Sequence, residues 1–245
     1  MKTLIFVTGA ALLSVLACAA PSTAADPLVL DDVAWKAAPA SGKSGPELRV
    51  SRGKSNSDVE LDGARRELAS TEAVLRGARG PVSFTIVHAA GTLACSGEMK
   101  APYDGSGRCR FTADPRFEAE LTSRKLAPGD RDDLLAMLLV DATIELADGL
   151  TAEGVKPKDD GDLIAAAALK VTPAYVRDLK SEAMTLTTIG DAIACRALGV
   201  DGAYVRGLAA AGYRGLGADD VVGMKALGVS PEYAQAMNRA RGSGQ

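Results

Sequence analysis

The stretch Leu-Gly-Val-Asp-Gly-Ala-Tyr-Val-Arg-Gly-Leu at residues 198–208 has a counterpart 29 residues later, where Leu-Gly-Val-Ser-Pro-Glu-Tyr occupies residues 227–233. The same period extends back through the chain. A small apolar residue recurs in register at Ala113, Ala142, Val171, Val200 and Val229. The residue after it has a side-chain oxygen in every copy, at Asp114, Thr143, Thr172, Asp201 and Ser230. A fixed period of this length predicts helical hairpins that stack on their neighbours.

Each copy is predicted to form two helices. The side-chain oxygen caps the first helix, which carries a large apolar residue and a partner one turn later. These pairs are Phe117 and Leu121, Leu146 and Leu150, Tyr175 and Leu179, Tyr204 and Leu208, and Tyr233 and Met237. An aspartate recurs near the start of the second helix, at Asp133, Asp162, Asp191 and Asp220. This position predicts a capping box in the first three copies.

These patterns predict an α+β fold in which a small antiparallel β-sheet unit precedes an αα-hairpin repeat array. The predicted boundaries are 1–25 for a signal peptide, 26–46 for a flexible arm, 47–112 for the β unit and 113–241 for the array. The copies of the repeat span 113–141, 142–170, 171–199 and 200–228, with a partial copy at 229–241.

Apolar and polar residues alternate between the arm and the array, which is typical of strands. The expected strands begin with Leu48 and Val50, with Val59 and Leu61, and with Val82, Phe84 and Ile86, and two more span 92–99 and 108–112. A loop is expected at 101–107, and the polar stretch 64–76 is expected to be a helix or a loop at the sheet edge. Trp35 is the strong apolar anchor of the arm.

The last two strands predict a disulfide through their register. One antiparallel register pairs Leu93 with Phe111, Cys95 with Cys109 and Gly97 with Gly107. The two cysteines then lie on the same side of the hairpin as the apolar pair. A disulfide between Cys95 and Cys109 closes a loop of about 15 residues and contributes about 3 kcal/mol.

The first 25 residues have the features of a bacterial secretory signal. Lys2 precedes an apolar run from 4 to 16 that is too short to cross a bilayer, which needs about 20 residues. In one interpretation the leader is cleaved after residue 24 or 25. In the other, Val-Leu-Ala-Cys at 15–18 is a lipobox and Cys18 is lipidated. In both interpretations the protein leaves the cytosol: the first predicts a periplasmic or secreted protein, and the second an outer-membrane lipoprotein.

Composition argues against several classes of function. Without Lys2 the chain has 27 basic and 31 acidic residues, a balance of −4 that is too weak and dispersed for a nucleic acid or an anionic membrane. His88 is the sole histidine, so a zinc site or a cysteine–histidine couple cannot be assembled. Cys195 shares its column with Met137, Ala166 and Met224, which predicts a buried apolar side chain. We therefore expect no catalytic residue, no metal ligands, no cofactor and no enzymatic activity.

Four segments resemble a known kind of helical repeat. They are the two quoted above, at 198–208 and 227–233, together with Gly-Tyr at 212–213 and Ala-Asp-Asp-Val at 218–221. They are similar to repeats of the form Gly-Val-Thr-Pro-Glu-Tyr-Val-Arg-Glu-Leu in the C-terminal regions of bacterial beta-lactam-sensor-type membrane zinc metallopeptidases and in stand-alone exported proteins. The resemblance covers about residues 47–241, and the His-Glu-x-x-His zinc sequence is absent. It implies a regulatory or interaction module outside the membrane, with no catalytic residue carried over.

The leading hypothesis from the sequence is a non-catalytic interaction or sensing module of the cell envelope that binds a protein partner. The expected binding surface is one face of the array, with basic residues at Arg177, Arg206, Arg214 and Lys225. The alternative hypothesis is a periplasmic small-ligand binding protein that uses the cleft where the β unit meets Phe117 and Leu121. No nucleic-acid partner is expected, and no membrane span in the mature chain.

Overall fold

The computed structural model of the chain describes residues 26–42, 44–53, 55–61, 63, 68–180 and 184–242. The expected signal peptide and the lipobox Cys18 lie outside the described residues. The strands are β1 Val29–Ala38, β2 Glu47–Arg52, β3 Ser55–Glu60, β4 Gly80–His88, β5 Gly91–Ala101 and β6 Asp104–Ala113. Helix α1, Ala69–Leu75, lies between β3 and β4 in the sequence. A helical array follows β6, and the α+β fold class predicted from the sequence is confirmed.

All strands of the sheet pair antiparallel, in the order β3-β2-β1-β6-β5-β4. Strands β3 and β4 are therefore the two edges. The sheet buries one face, because inward residues alternate with exposed ones along each strand, as Leu93 and Cys95 do with Ala94 and Ser96 in β5. Helix α1 contacts β4, whereas helix α3, Asp133–Val140 in the array, contacts β3, β5 and β6.

The expectation of a flexible arm over 26–46 is wrong, because β1 lies at the centre of the sheet between β2 and β6. Leu30, Val33, Trp35 and Ala37 of β1 are all buried. The irregular spacing of Leu30 and Val33 reflects a bulge in the pairing of β1 with β6. The bulge interrupts the two-residue alternation by which a strand is recognised in a sequence. The β unit therefore begins at Val29, well before the predicted boundary at residue 47.

The hairpin of β5 and β6 has the predicted register, with Leu93 opposite Phe111 and Cys95 opposite Cys109. The two cysteine sulfurs are 1.98 Å apart, at disulfide distance. The expected loop at 101–107 is wrong, because β6 begins at Asp104 and only two residues separate the strands. The stretch 64–76 is a helix over Ala69–Leu75, and residues 64–67 lie outside the described part of the chain.

A pair of facing glycines makes room for the central tryptophan. Gly97 lies opposite Gly107, which in turn lies opposite Trp35 of β1. A Cβ on Gly107 would come within 2.6 Å of the Trp35 indole nitrogen, and one on Gly97 within 2.7 Å of the indole carbon Cζ2. The indole N–H donates to the Ser96 carbonyl at 3.0 Å, and the ring packs edge-on against Phe84 with 5.2 Å between ring centres. The glycine pair thus fixes where the largest core side chain lies.

The array consists of two helices per copy, as the period predicts. The first helices are α2 Pro115–Ser123, α4 Ile144–Ala152, α6 Pro173–Lys180, α8 Gly202–Ala210 and α10 Pro231–Gly242. The second helices are α3 Asp133–Val140, α5 Asp160–Ala168, α7 Ile189–Ala197 and α9 Ala218–Ala226. First helices contact first helices of the next copy, and second helices contact second helices, so the described copies stack in one direction.

All five predicted first-helix caps are present. The side-chain oxygens of Asp114, Thr143, Thr172, Asp201 and Ser230 accept from a backbone N–H in the first turn of their helices. The predicted capping boxes are only partly correct: Asp191 forms one with Thr188, whereas Asp162 accepts from the Lys158 N–H and Asp133 is the first residue of its helix.

Each second helix is followed, within two residues of its last residue, by a residue in the left-handed region. These residues are Asp141, Lys170, Gly199 and Gly228, with φ of +55°, +56°, +67° and +74°. The first two copies therefore use non-glycine residues where the next two use glycine. No helix within the described part of the chain is long and apolar enough to span a bilayer.

Candidate functional site

A groove runs between the edge strand β3 and the helices that pack beneath the sheet. It consists of a cavity of about 430 Å³ and a smaller one of about 150 Å³. Ser57 of β3 and Leu139 of α3 line both cavities, so the two are adjacent along the strand. We call this feature the β3 groove. Its lining includes every residue of β3 from Ser55 to Val59.

The floor of the β3 groove comes from the first two copies of the array. Helix α3 contributes Leu135 and Leu139, which are 7% and 3% exposed, and the end of α5 contributes Ala166 and Ala167. Helix α3 contacts both the sheet and α5. The array thus continues past the sheet edge, and α5 provides an apolar surface beside β3.

The rim of the β3 groove is acidic. Its lining contains five carboxylates and two basic side chains, which gives a formal charge of −3. The acidic residues are Asp58, Asp130, Asp132, Asp133 and Asp141, and the basic ones are Arg52 and Lys170. Arg52 pairs with Asp132 and with Asp32 of β1, so one of the two basic side chains already binds carboxylates.

Several carboxylates lie close together at one end of the β3 groove, around Asp133. Partial burial raises the pKa of its carboxyl, and the nearby Asp160 and Asp130 carboxylates raise that pKa further. Asp130 also caps the turn before α3 by accepting from the Asp132 N–H at 3.0 Å. This end of the groove therefore favours a positively charged group.

Three of the four basic residues predicted to form a binding surface have contacts within the array. Arg177 pairs with Glu153 at 2.5 Å and Arg206 with Asp178 at 2.9 Å, and each pair joins two neighbouring copies. The Lys225 ammonium lies 4.4 Å from the centre of the Tyr204 ring. Arg214 is exposed.

The tyrosine column also joins the copies. The Tyr175 hydroxyl donates to the Val200 carbonyl, and the Tyr204 hydroxyl to the Val229 carbonyl, both at 2.8 Å. Burial raises the pKa of both hydroxyls, which keeps them protonated as donors. Tyr233, in the partial copy, is 57% exposed.

The cleft expected at Phe117 and Leu121 is not where the cavity lies. These residues are 5% and 0% exposed and belong to the core. The cavity at the junction of sheet and array lies further along, under β3. Its only signal in the sequence is the polar character of Ser55–Glu60, which is typical of an edge strand.

The contacts of His88 and the burial of Cys195 indicate structural roles for both side chains. The His88 Nδ1–H donates to the Leu138 carbonyl at 2.5 Å and so links β4 to α3, while Nε2 is buried without a hydrogen-bond partner among the described residues. The Cys195 side chain is 0% exposed, as its column predicts, and burial raises the pKa of its thiol to about 11.

The described ranges contain no cluster of three or more histidine, cysteine or carboxylate side chains placed to bind a metal ion. Comparisons of the chain with protein-family models, with curated proteins and with solved structures find no match.

Proposed function

We propose that this protein is a non-catalytic interaction or sensing module of the cell envelope, and that it binds a protein partner at the β3 groove. The observation that carries the proposal is the groove itself: an open strand edge beside an apolar floor and an acidic rim. Contiguous concave surfaces of this kind are typical of interaction sites.

Two features of the sequence support the cellular setting. The leader at 1–25 supports export, with lipidation at Cys18 as the alternative to cleavage. The resemblance to the repeats of exported and membrane-anchored sensors supports a regulatory role. The array favours the role of a rigid scaffold, because ion pairs and a tyrosine hydroxyl join its neighbouring copies.

Site-specific photo-crosslinking in the native host tests the proposal. A photoreactive amino acid replaces Ala167 in the groove, Arg214 on the array or Ala94 on the exposed face of the sheet. We expect a discrete protein adduct from position 167 alone. Adducts from none of the three positions, or equally from all three, would contradict a partner at the groove.

The cavity of about 430 Å³ supports a second candidate function, the binding of a small ligand. Its volume lies in the range of small-molecule sites, roughly 300–1,000 Å³. Native mass spectrometry of the protein isolated from its host would then show an added mass. Ala167→Phe would remove that mass because it fills the cavity, and Ala94→Phe, on the opposite face of the sheet, would leave it.

A further inference from the structure

In the described part of the sheet, the outer edge of β3 has identifiable donors and acceptors. The Leu61 N–H donates to the Pro46 carbonyl at 2.8 Å, and this bond continues the β2–β3 ladder. Hydrogen-bonded and non-hydrogen-bonded pairs alternate along an antiparallel ladder. Counting back from Leu61, Ser57 directs its backbone groups to β2, whereas Asn56 and Asp58 direct their N–H and C=O groups away from the sheet.

Among the described residues, the opposite edge of the sheet has other contacts. Strand β4 contacts α1 and is linked to α3 through the His88 ring. By contrast, a strand added beside β3 would lie over α5 as β3 lies over α3. Every second side chain of that strand would point to the partly exposed apolar floor at Val140, Leu146 and Ala167.

We infer that the β3 groove binds an extended peptide segment of a partner, which adds to the sheet as a seventh strand beside β3. This inference rests on the proposed function, that the protein binds a protein partner, and it names the kind of segment bound. Strand addition draws its affinity from main-chain hydrogen bonds and its specificity from pockets for alternate side chains.

The lining of the β3 groove sets the chemistry of the peptide. Aliphatic side chains at alternate positions fit the floor at Val140, Leu146 and Ala167, which are only partly buried. Asp58 and Asp132 are paired with Arg49 and Arg52, but the other lining carboxylates, those of Asp130, Asp133 and Asp141, outnumber Lys170. This charge favours lysine or arginine at one or more of the other positions. The basic side chain belongs at the end of the groove near Asp130 and Asp133, where carboxylates already repel one another.

The test uses a random dodecapeptide display library, panned on the full mature chain. Two variants at one position form a matched pair. Asn56→Pro removes the outward N–H, and proline is tolerated on edge strands. Asn56→Ala removes the exposed side chain but keeps the N–H. We expect selected peptides to alternate aliphatic residues with Lys or Arg, and to bind Asn56→Pro about tenfold more weakly than Asn56→Ala, which corresponds to the loss of one hydrogen bond.

Amide hydrogen exchange gives a second measurement on the folded variants. A bound peptide should slow exchange at Asn56 and Asp58, whose N–H groups face outward, and leave the already paired Ser57 unchanged. Equal binding to both Asn56 variants, or protection confined to α5, would overturn strand addition.

The remaining outcomes separate this inference from the proposed function. No enriched peptide, with the position-167 crosslink still present, would reject the extended segment and leave the partner proposal standing. Loss of the crosslink as well would reject both. A dimer of the chain that Asn56→Pro dissociates and Asn56→Ala does not would identify a second copy as the occupant, and would overturn the assignment to a partner peptide.

Discussion

The residues that follow the second helices occupy equivalent positions in the repeat. Exchanging the residue types at two of these positions therefore tests whether the positions have the same conformational requirement. Lys170 and Gly199 both follow a helix and both have positive φ, at +56° and +67°. Their surroundings match as well: Lys170 N–H donates to Ala167 O at 3.1 Å and Gly199 N–H to Arg196 O at 3.0 Å. The two positions differ in side chain but not in backbone conformation.

The expected effect follows from that backbone conformation. A residue with a Cβ in the left-handed region destabilises the folded chain by about 1–2 kcal/mol. Glycine removes this cost, but its greater freedom in the unfolded chain cancels about 0.5–1 kcal/mol of the gain. Lys170→Gly should therefore raise the free energy of unfolding by about 1 kcal/mol. Gly199→Lys should lower it by about the same amount, since a Cβ on Gly199 meets no heavy atom within 4 Å.

Thermal denaturation of the mature chain, with the helical circular dichroism signal as the readout, measures both changes. A change of 1 kcal/mol corresponds to a shift in Tm of about 2–4 °C for a protein of this size. Lys170→Ala is the control, because it removes the exposed side chain and keeps the Cβ. The reasoning is refuted if Lys170→Ala stabilises as much as Lys170→Gly, or if Gly199→Lys is neutral.

Three further predictions concern the sheet and the core. Replacing both Cys95 and Cys109 with alanine should lower the free energy of unfolding by about 3 kcal/mol, and an effect below about 1 kcal/mol would show that the cross-link constrains little. Cys195 should resist thiol reagents in the folded chain and react only in denaturant, since its thiol is buried with a raised pKa of about 11; fast labelling at neutral pH would contradict this burial. Gly107→Ala should cost about 1–3 kcal/mol in unfolding experiments because the new methyl overlaps the Trp35 indole, and near-UV circular dichroism should report the displaced ring.

The sequence predicted what depends on residues close to one another along the chain. The 29-residue period is carried by caps and apolar pairs within single helices, so each copy identifies its own helices. The Cys95–Cys109 pairing was predictable for the same reason: β5 and β6 are neighbours in sequence, and one register satisfies all of their facing pairs.

The expectations that were wrong depended on partners far away in the chain. Strand β1 pairs with β6, and Trp35 lies opposite Gly107, more than 70 residues later. An alanine- and proline-rich composition at 26–46 indicates a loose arm when it is read alone. The strand forms because the glycine pair of β5 and β6 leaves space for the indole, a condition set outside the segment itself.

By itself, the sequence determined the kind of elements and their order, because periodicity, caps and turns are local. The tertiary structure decided which surfaces remain open. It placed β3 at an edge, extended the array beyond that edge, and engaged Arg177 and Arg206 in ion pairs between copies. An open groove is a relation between elements that fold separately, so no single stretch of sequence carries it.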